Sequence, residues 1–436
     1  MARRPSHVAL NVFQNSRLVG NLRKAPSGAV SFRYADHWLT ASNPSPVSLS
    51  MPLREEPYTG GSVINVFENL LPDELSIRRR IAERVGAAGT DVYSLLSVIG
   101  ADCVGALQFL PEGHDPGPAG QIEAEEVTDD EIARTVATLG NDPLGITREN
   151  DFRISLAGAQ EKTALLRMDG RWYRPHHTTA TTHILKPRIG RRPNGLDLSS
   201  SVENEYVCLR LLKAFGLSVA DAEIVDFGIP TLVVERFDRI WTPDGLLLRR
   251  PQEDFCQALS VPPNTKYQSD GGPGLMDVVK LLRGSDDPER DIRSAMTAAI
   301  LFWLLGATDG HAKNLSLFLV PRGFSLTPLY DVLSTQPNVD AGEIPAKAFK
   351  LAMSVGKTRH YLVGEIMPRH FLQTADAAGI GGSLVRDLFQ QIAARIEPAI
   401  AETVASLPSG FPEALVASVA GGLRRRGRLL ESPLDA

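Results

Sequence analysis

Apolar and polar positions alternate from His7 to about residue 35. HVALNVF and RLVGNL flank Gln14-Asn15-Ser16, and AVSFRYA follows a Pro-Ser-Gly turn. A period of two predicts a hairpin and a third strand. Around NVFENLLPDELSIRRRIAERVG, residues 65–86, the apolar spacing becomes helical and ends at Gly86, a suitable residue to stop a helix. GALQFLP reads as the last strand of this part. PEGHDPGPAGQ, residues 111–121, is the Pro/Gly-rich linker, and EAEEVTDDEIA reads as an acidic helix start.

A second patterned stretch begins near Asp151. DFRISLAGAQEKTALLRMDGRWYRP reads strand, small-residue loop, strand, Asp-Gly turn, strand, and THILKP adds another strand. SSVENEYVCLRLLKAFG is an amphipathic helix in which Ser200 and Glu203 have capping-box spacing, Val202, Tyr206 and Leu209 share a face, and Gly216 ends the run. AEIVDFGIPTLVVERFD gives two strands. From Pro251 onward the pattern is mostly helical, interrupted by LSLFLV and FSLTPLYDV. The predicted division is 1–110, an α/β module; 111–150, linker and helix; 151–238, a sheet lobe; and 239–436, a helical lobe.

Composition narrows the class. At 436 residues the chain exceeds one compact core, and 43% hydrophobic with 22% charged residues is ordinary for a globular protein. A net charge of −5 excludes polyanion binding by bulk electrostatics. Cys103, Cys208 and Cys256 lack CxxC spacing and read as buried thiols of a reducing compartment. The start lacks the continuous apolar run of a signal peptide. The longest apolar run, Ala295 to Ala307, has 13 residues, short of the ~20 that span a bilayer. A cytoplasmic location, with no membrane partner, is the expectation.

That apolar run leads into GATDGHAKNLSLF, residues 306–318. Asp309 and Asn314 have the Asp-x-x-x-x-Asn spacing of a protein-kinase catalytic loop, in which the Asp accepts the attacking hydroxyl's proton and the Asn carries magnesium. Asp331, in Pro-Leu-Tyr-Asp after a strand pair, stands where a second metal-binding carboxylate belongs. Taken singly, Asp309 is equally a helix cap and His311 a structural group. Together with Asn314 and Asp331, they form a set that a divalent cation would satisfy. Lys186, ending the HILKP strand, either snorkels at the surface or points its ammonium into a cleft. LAGAQEKT, Leu156 to Thr163, is either a plain hairpin turn or a loop whose amides cradle phosphate, with Lys162 as a further cation. Glu205 is either a solvated helix residue or the partner of Lys186. ERFD, Glu235 to Asp238, follows the last sheet strand, where a hinge would meet adenine. Loop, lysine, helix, hinge, Asp-x4-Asn, Asp is the order of parts in a two-lobed kinase.

ISLAGAQEKTALL, THILKP, ENEYVCLRL, VERFDR, RPQEDFCQ, KYQSDGGPG, ATDGHAKN, LTPLYD and YLVGEIMPRHFL together resemble the HipA family of bacterial toxin serine/threonine kinases, and SLSMPLREE and FENLLPD resemble its N-terminal domain. The resemblance implies an α+β, kinase-like fold: antiparallel strands with some helix in the N-terminal part and a mainly helical C-terminal lobe. It implies an ATP- and Mg²⁺-dependent kinase that phosphorylates glutamyl-tRNA synthetase, stalls translation and promotes dormancy. A HipB-type DNA-binding antitoxin would neutralise it and would carry most of any DNA contact. By the family's motifs, Asp309 is the catalytic base, Asn314 and Asp331 hold Mg²⁺, and Lys186 contacts ATP phosphates. Ala157, Gly158, Ala159, Gln160, Glu161 and Lys162 form the phosphate loop. Glu235, Arg236 and Phe237 line the adenine hinge, and His311, Ala312, Lys313 and Tyr330 adjoin the nucleotide. Ser155 matches the family's autophosphorylated serine, where a dianion would repel ATP phosphates.

The sequence departs from the family after PRHFL: Gln373 to Gly382 carries no Lys or Arg where DNA-touching members are basic. The cluster Arg424 to Arg428 reads as a solvated helix end, with phosphate contact as the other reading. Two other functions fit the same pattern. One is a non-catalytic co-repressor with a retained kinase fold, against which the intact Asp309, Asn314, Lys186 and Asp331 count. The other is a small-molecule phosphotransferase.

Overall fold

The computed structural model describes residues 7–140, 142–145, 154–158 and 160–431. The chain forms two compact units. One holds Met1–Pro187, Val225–Asn264 and Leu317–Gly323; the other holds Arg188–Ile224, Thr265–Ser316 and Phe324–Ala436. Contacts therefore group the N-terminal module with the second sheet, and assign the helix after Lys186 to the helical unit.

The first unit opens with an antiparallel sheet of β1 (Leu10–Gln14), β2 (Arg17–Lys24), β3 (Val30–Tyr34), β4 (Tyr58–Thr59) and β5 (Leu107–Pro111), in the order β4-β3-β2-β1-β5. The expected hairpin closes through Asn15 and Ser16, both at positive φ (46° and 63°), the backbone that matches strand twist in a two-residue turn. One sheet face packs on α1 (Gly61–Glu68), α2 (Leu75–Val85) and α3 (Val92–Ile99). Phe67 sits edge-on to Phe32 and Phe109, at 5.7 and 5.2 Å between ring centres. The single helical run expected over 65–86 is two helices. Pro72 lacks the N–H needed to continue a helix, and the break at 69–74 presents the Leu70 carbonyl and the Asp73 N–H to the phosphate loop.

The second sheet comprises β6 (Ala124–Glu126), β7 (Thr163–Met168), β8 (Arg171–Pro175), β9 (His183–Pro187), β10 (Ala222–Asp226) and β11 (Pro230–Glu235), in the order β10-β11-β9-β7-β8-β6. EAEE, expected as a helix start, supplies β6, paired with β8; the helix α4 (Asp129–Thr138) begins later, at a Thr128–Glu131 capping box. Alternation divides the sheet. Ala164 and Ile184 pack on the core of the first sheet, while Leu165, Leu185, Trp172 and Val233 form a second core with Ile132 and Val136 of α4. Residues 151–153, expected from sequence as part of a strand, and Ala159 lie outside the described residues.

The helical unit is built around α6 (Pro288–Leu305), after α5 (Ser201–Ala214) in chain order. Asp287 caps α6 by accepting from the Arg290 N–H, Pro288 occupies its first turn, and Trp303 is fully buried with its indole N–H donating to Val363 O at 3.0 Å. The Ser200–Glu203 capping box does not form in α5. Glu203 instead takes the Arg188 guanidinium, and Ser201 Oγ accepts from the Ile189 N–H at 2.9 Å. Gly216 lies just past the end of α5, as expected. All three cysteines are buried thiols outside any disulfide, and burial pushes the Cys103 and Cys208 thiols up to about 12, so these two are inert packing groups. Among the described residues, no helix is long and apolar enough to cross a membrane.

Candidate active site

The helical unit carries the acidic set. Helix α6 ends at Gly306, where the Gly306 and Ala307 N–H groups return to Trp303 O and Phe302 O. The cap thus lies before Asp309, which is free of that task. Asp309 lies in a tight turn closed by the His311 N–H donating to Asp309 O at 2.8 Å, followed by a 3₁₀ turn at Ala312–Asn314. Asn314 is buried, and its side-chain NH₂ donates to Asp309 O at 2.8 Å and to Asp331 O at 3.4 Å. One amide therefore joins residues 309, 314 and 331. Asp331 has φ 59°, the left-handed backbone that β-carbons disfavour and that recurs at functional positions.

The side chains around this turn divide the work. Asp309 is 58% exposed and His311 only 4%, with His311 Nε2 at 3.9 Å from Asp309 Oδ1. Tyr267 donates its hydroxyl to Asp309 Oδ1 and sets its ring edge-on to His311, at 5.0 Å. Tyr330 donates to Lys313 O at 2.8 Å; because that uses its only proton, Ser316 must donate to Tyr330 across their 2.6 Å contact. Asn204 of α5 grips the segment after Asp331: its NH₂ donates to Ser334 O and its oxygen accepts from the Ser334 N–H. The sequence reading missed Asn204 and Tyr267. A polar residue on the buried face of ENEYVCLRL was the available signal for Asn204.

Among the described residues, no three His, Cys, Asp or Glu side chains gather to hold a metal. Magnesium does not need them, since it takes one or two carboxylates and completes its shell with water and phosphate. Asn314 fits that role: with its NH₂ engaged by two carbonyls, its oxygen is the atom left to meet a cation.

The strand-bearing unit carries the basic set. Lys186 on β9 is buried, opposite Leu232 of β11 and on the same strand face as Ile184, which rules out a snorkelling surface lysine. Loop residues 154–158 are built into the N-terminal module. Ile154 and Leu156 belong to its core, the Ser155 N–H donates to Asp102 O at 2.9 Å, and the Ser155 hydroxyl donates to Leu70 O at 2.7 Å. The Asp73 N–H donates to Gly158 O, Glu161 pairs with Arg80 at 3.2 Å, and Gln160 donates to Pro187 O at 3.1 Å. FENLLPD, unassigned in role from sequence, is thus the loop's bracket. Gly158 has φ 103°, and a Cβ there would lie 2.7 Å from Lys162 Nζ, which itself donates to Ala157 O. The space a side chain would occupy, beside a lysine ammonium, suits phosphate oxygens.

Of the hinge residues, Glu235 is exposed and Phe237 half-buried, edge-on to Phe318 at 5.7 Å. Arg236 differs from its expected role. Its N–H donates to Thr182 O, and its guanidinium is buried between Asp102 and Asp238. Arg239 and Arg249 join this cluster through Asp102 Oδ1, at 2.8 and 2.9 Å. Glu205 is buried on α5. Of the late arginines, Arg424, Arg425 and Arg428 are exposed, as a solvated helix end requires, with Arg424 pairing both oxygens of Glu397 at 2.7 Å, while Arg426 turns inward and donates to Leu304 O.

Known proteins resemble this chain in sequence and fold. Residues 10–110 match the family profile described as the HipA N-terminal domain, and residues 154–400 the HipA-like C-terminal domain. The chain is 40% identical over 382 residues to Y4mE of Sinorhizobium fredii, named as an inferred kinase, covering 86% of this chain and 87% of that one. It is 27% identical over 416 residues to the serine/threonine-protein kinase toxin HipA of Shewanella oneidensis, covering 92% and 90%. The Shewanella oneidensis HipA structure, solved with HipB and operator DNA, superposes with a TM-score of 0.80 at 26% identity over 97% of each chain.

Proposed function

The chain belongs to the HipA family of toxin serine/threonine kinases, and on that premise we propose that it transfers the γ-phosphoryl group of ATP, with Mg²⁺, to a serine of glutamyl-tRNA synthetase. The observation that supports the reading is the Asn314 amide, whose NH₂ donates to the main-chain carbonyls of Asp309 and Asp331 and so brings the three proposed site residues together. ATP supplies the phosphoryl group, and Mg²⁺ neutralises its charge. Asp309, exposed at the end of its turn, accepts the acceptor hydroxyl's proton on its carboxylate. Asn314 and Asp331 present oxygens to the metal. Lys186, Lys162 and the backbone of 157–161 (Ala159 included) hold phosphate oxygens, and Glu235 and Phe237 meet the adenine, with Arg236 holding the hinge from behind through Asp102 and Asp238. His311, Ala312, Lys313 and Tyr330 keep the catalytic turn in shape beside the nucleotide.

Ser155 is the proposed autophosphorylation site. In the conformation described it is fully buried and hydrogen-bonded, so its modification requires the loop to leave its bracket. Withdrawing Ile154 and Leu156 costs roughly 3–6 kcal/mol of apolar burial, which only a strongly repelled dianion would offset. We further propose a HipB-type antitoxin as partner, with DNA reached mainly through it, because the Shewanella relative was solved in such a complex.

The test is incubation of the full chain with γ-labelled ATP and glutamyl-tRNA synthetase. Wild type should label the synthetase and Asp309→Asn should not. A folded, ATP-binding wild type that transfers no label refutes the substrate, and equal transfer by Asp309→Asn refutes the base.

A further inference from the structure

We infer that Tyr267 is a positioning residue for phosphoryl transfer: its hydroxyl holds Asp309 Oδ1 so that Oδ2 faces the acceptor. The inference rests on Asp309 being the base. A carboxylate on an exposed turn has a freely rotating terminal torsion, and an exposed base in several orientations forfeits much of the benefit of proximity. Tyr267 removes that freedom with a hydrogen bond to a charged acceptor, among the stronger kinds.

Tyr267 can do this because its own loop is tightly built. Residues Gln268–Asp270 form a 3₁₀ turn, and the Gly272 N–H returns to Tyr267 O at 2.9 Å. A Cβ at Gly272 would lie 2.0 Å from Thr265 O and 2.8 Å from Tyr267 O, so no larger residue permits this closure. The Gln268 side-chain oxygen accepts from the Ser354 N–H and hydroxyl at 2.7 and 2.9 Å, tying the loop to the strand Lys350–Val355. A Cβ at Gly274 would strike Gln268. The ring, edge-on to buried His311, fixes the remaining degree of freedom. KYQSDGGPG is therefore a bracket for one phenol, as FENLLPD is for the phosphate loop.

The experiment compares wild type, Tyr267→Phe and Gln268→Ala in the full chain. It measures label transferred from ATP to glutamyl-tRNA synthetase or to the chain itself, with ATP binding and melting recorded separately. Tyr267→Phe should lower kcat roughly 10- to 100-fold with KM for ATP and the melting midpoint unchanged. Gln268→Ala should move kcat in the same direction. A kcat loss under threefold, or a kcat loss matched by a fall in ATP affinity or in the melting midpoint, overturns the inference alone. A wild type that labels neither protein overturns the kinase reading together with it.

Discussion

Replacing Asp102 by Asn removes the charge around which three arginines are gathered. Its Oδ1 accepts from Arg239 at 2.8 Å and from Arg249 at 2.9 and 3.1 Å; Oδ2 accepts from Arg236 at 3.3 Å and from the Thr181 N–H and hydroxyl at 3.1 and 2.8 Å. Every member is almost wholly buried, and Asp238 is the second carboxylate that pairs with these arginines. The substitution leaves three buried cations facing one anion, and turns an amide NH₂ toward guanidinium donors on one side. Breaking such a set by removing one partner costs about 3–5 kcal/mol, or a fall of roughly 9–15 °C in the melting midpoint for a unit of this size. As control, Arg171→Ala removes the exposed pair with Glu126 and should leave the midpoint unchanged. Acid dependence gives a second readout. Burial alone would raise the Asp102 pKa, but Arg239, Arg249 and Arg236 together hold it far below the usual carboxylate range. The unfolded chain takes up that proton near pH 4 and the folded chain does not, so stability present above that pH is lost as pH falls below it. Asp102→Asn should flatten that acid limb. A midpoint loss under about 3 °C, with the acid limb retained, would refute the reasoning.

Glu253 behaves oppositely: burial raises its carboxyl to about 8, its Oε1 takes the Leu49 N–H at 2.8 Å, and its Oε2 accepts no hydrogen bond among the described residues. The unfolded chain loses that proton near pH 4.5 and the folded chain near 8, so stability should fall as pH rises between them, and Glu253→Gln should abolish the fall in denaturant titrations run across that range. Gly158→Ala must abandon φ 103° or press on Lys162; ATP affinity, read by titration calorimetry, should drop at least about tenfold. Asn314→Ala or Asp331→Ala should raise the Mg²⁺ concentration needed for half-maximal label transfer by about tenfold or more, while leaving metal-free ATP binding close to wild type.

Much of this was legible in the linear pattern because it depends on neighbours in sequence. Alternation alone fixes the Asn15–Ser16 hairpin, the strands on either side of Asp169-Gly170 and the face that Lys186 shares with Ile184. The apolar run of α6 and its stop before Asp309 follow from spacing and from Gly306. The family motifs named the same acids that the structure joins through Asn314.

Tertiary structure decided what each polar residue binds, since hydrogen-bond partners remote in sequence leave no periodic trace. Arg236 reads as a hinge residue until Asp102, 134 positions away, claims its guanidinium. Glu203 has capping spacing but takes Arg188, and at the break around Pro72 the Leu70 carbonyl holds the Ser155 hydroxyl while the Asp73 N–H holds Gly158 O. A pattern of apolar positions specifies which faces must be buried. It is silent on which buried donor meets which acceptor, because that pairing is set by the three-dimensional register of elements that the chain brings together only on folding.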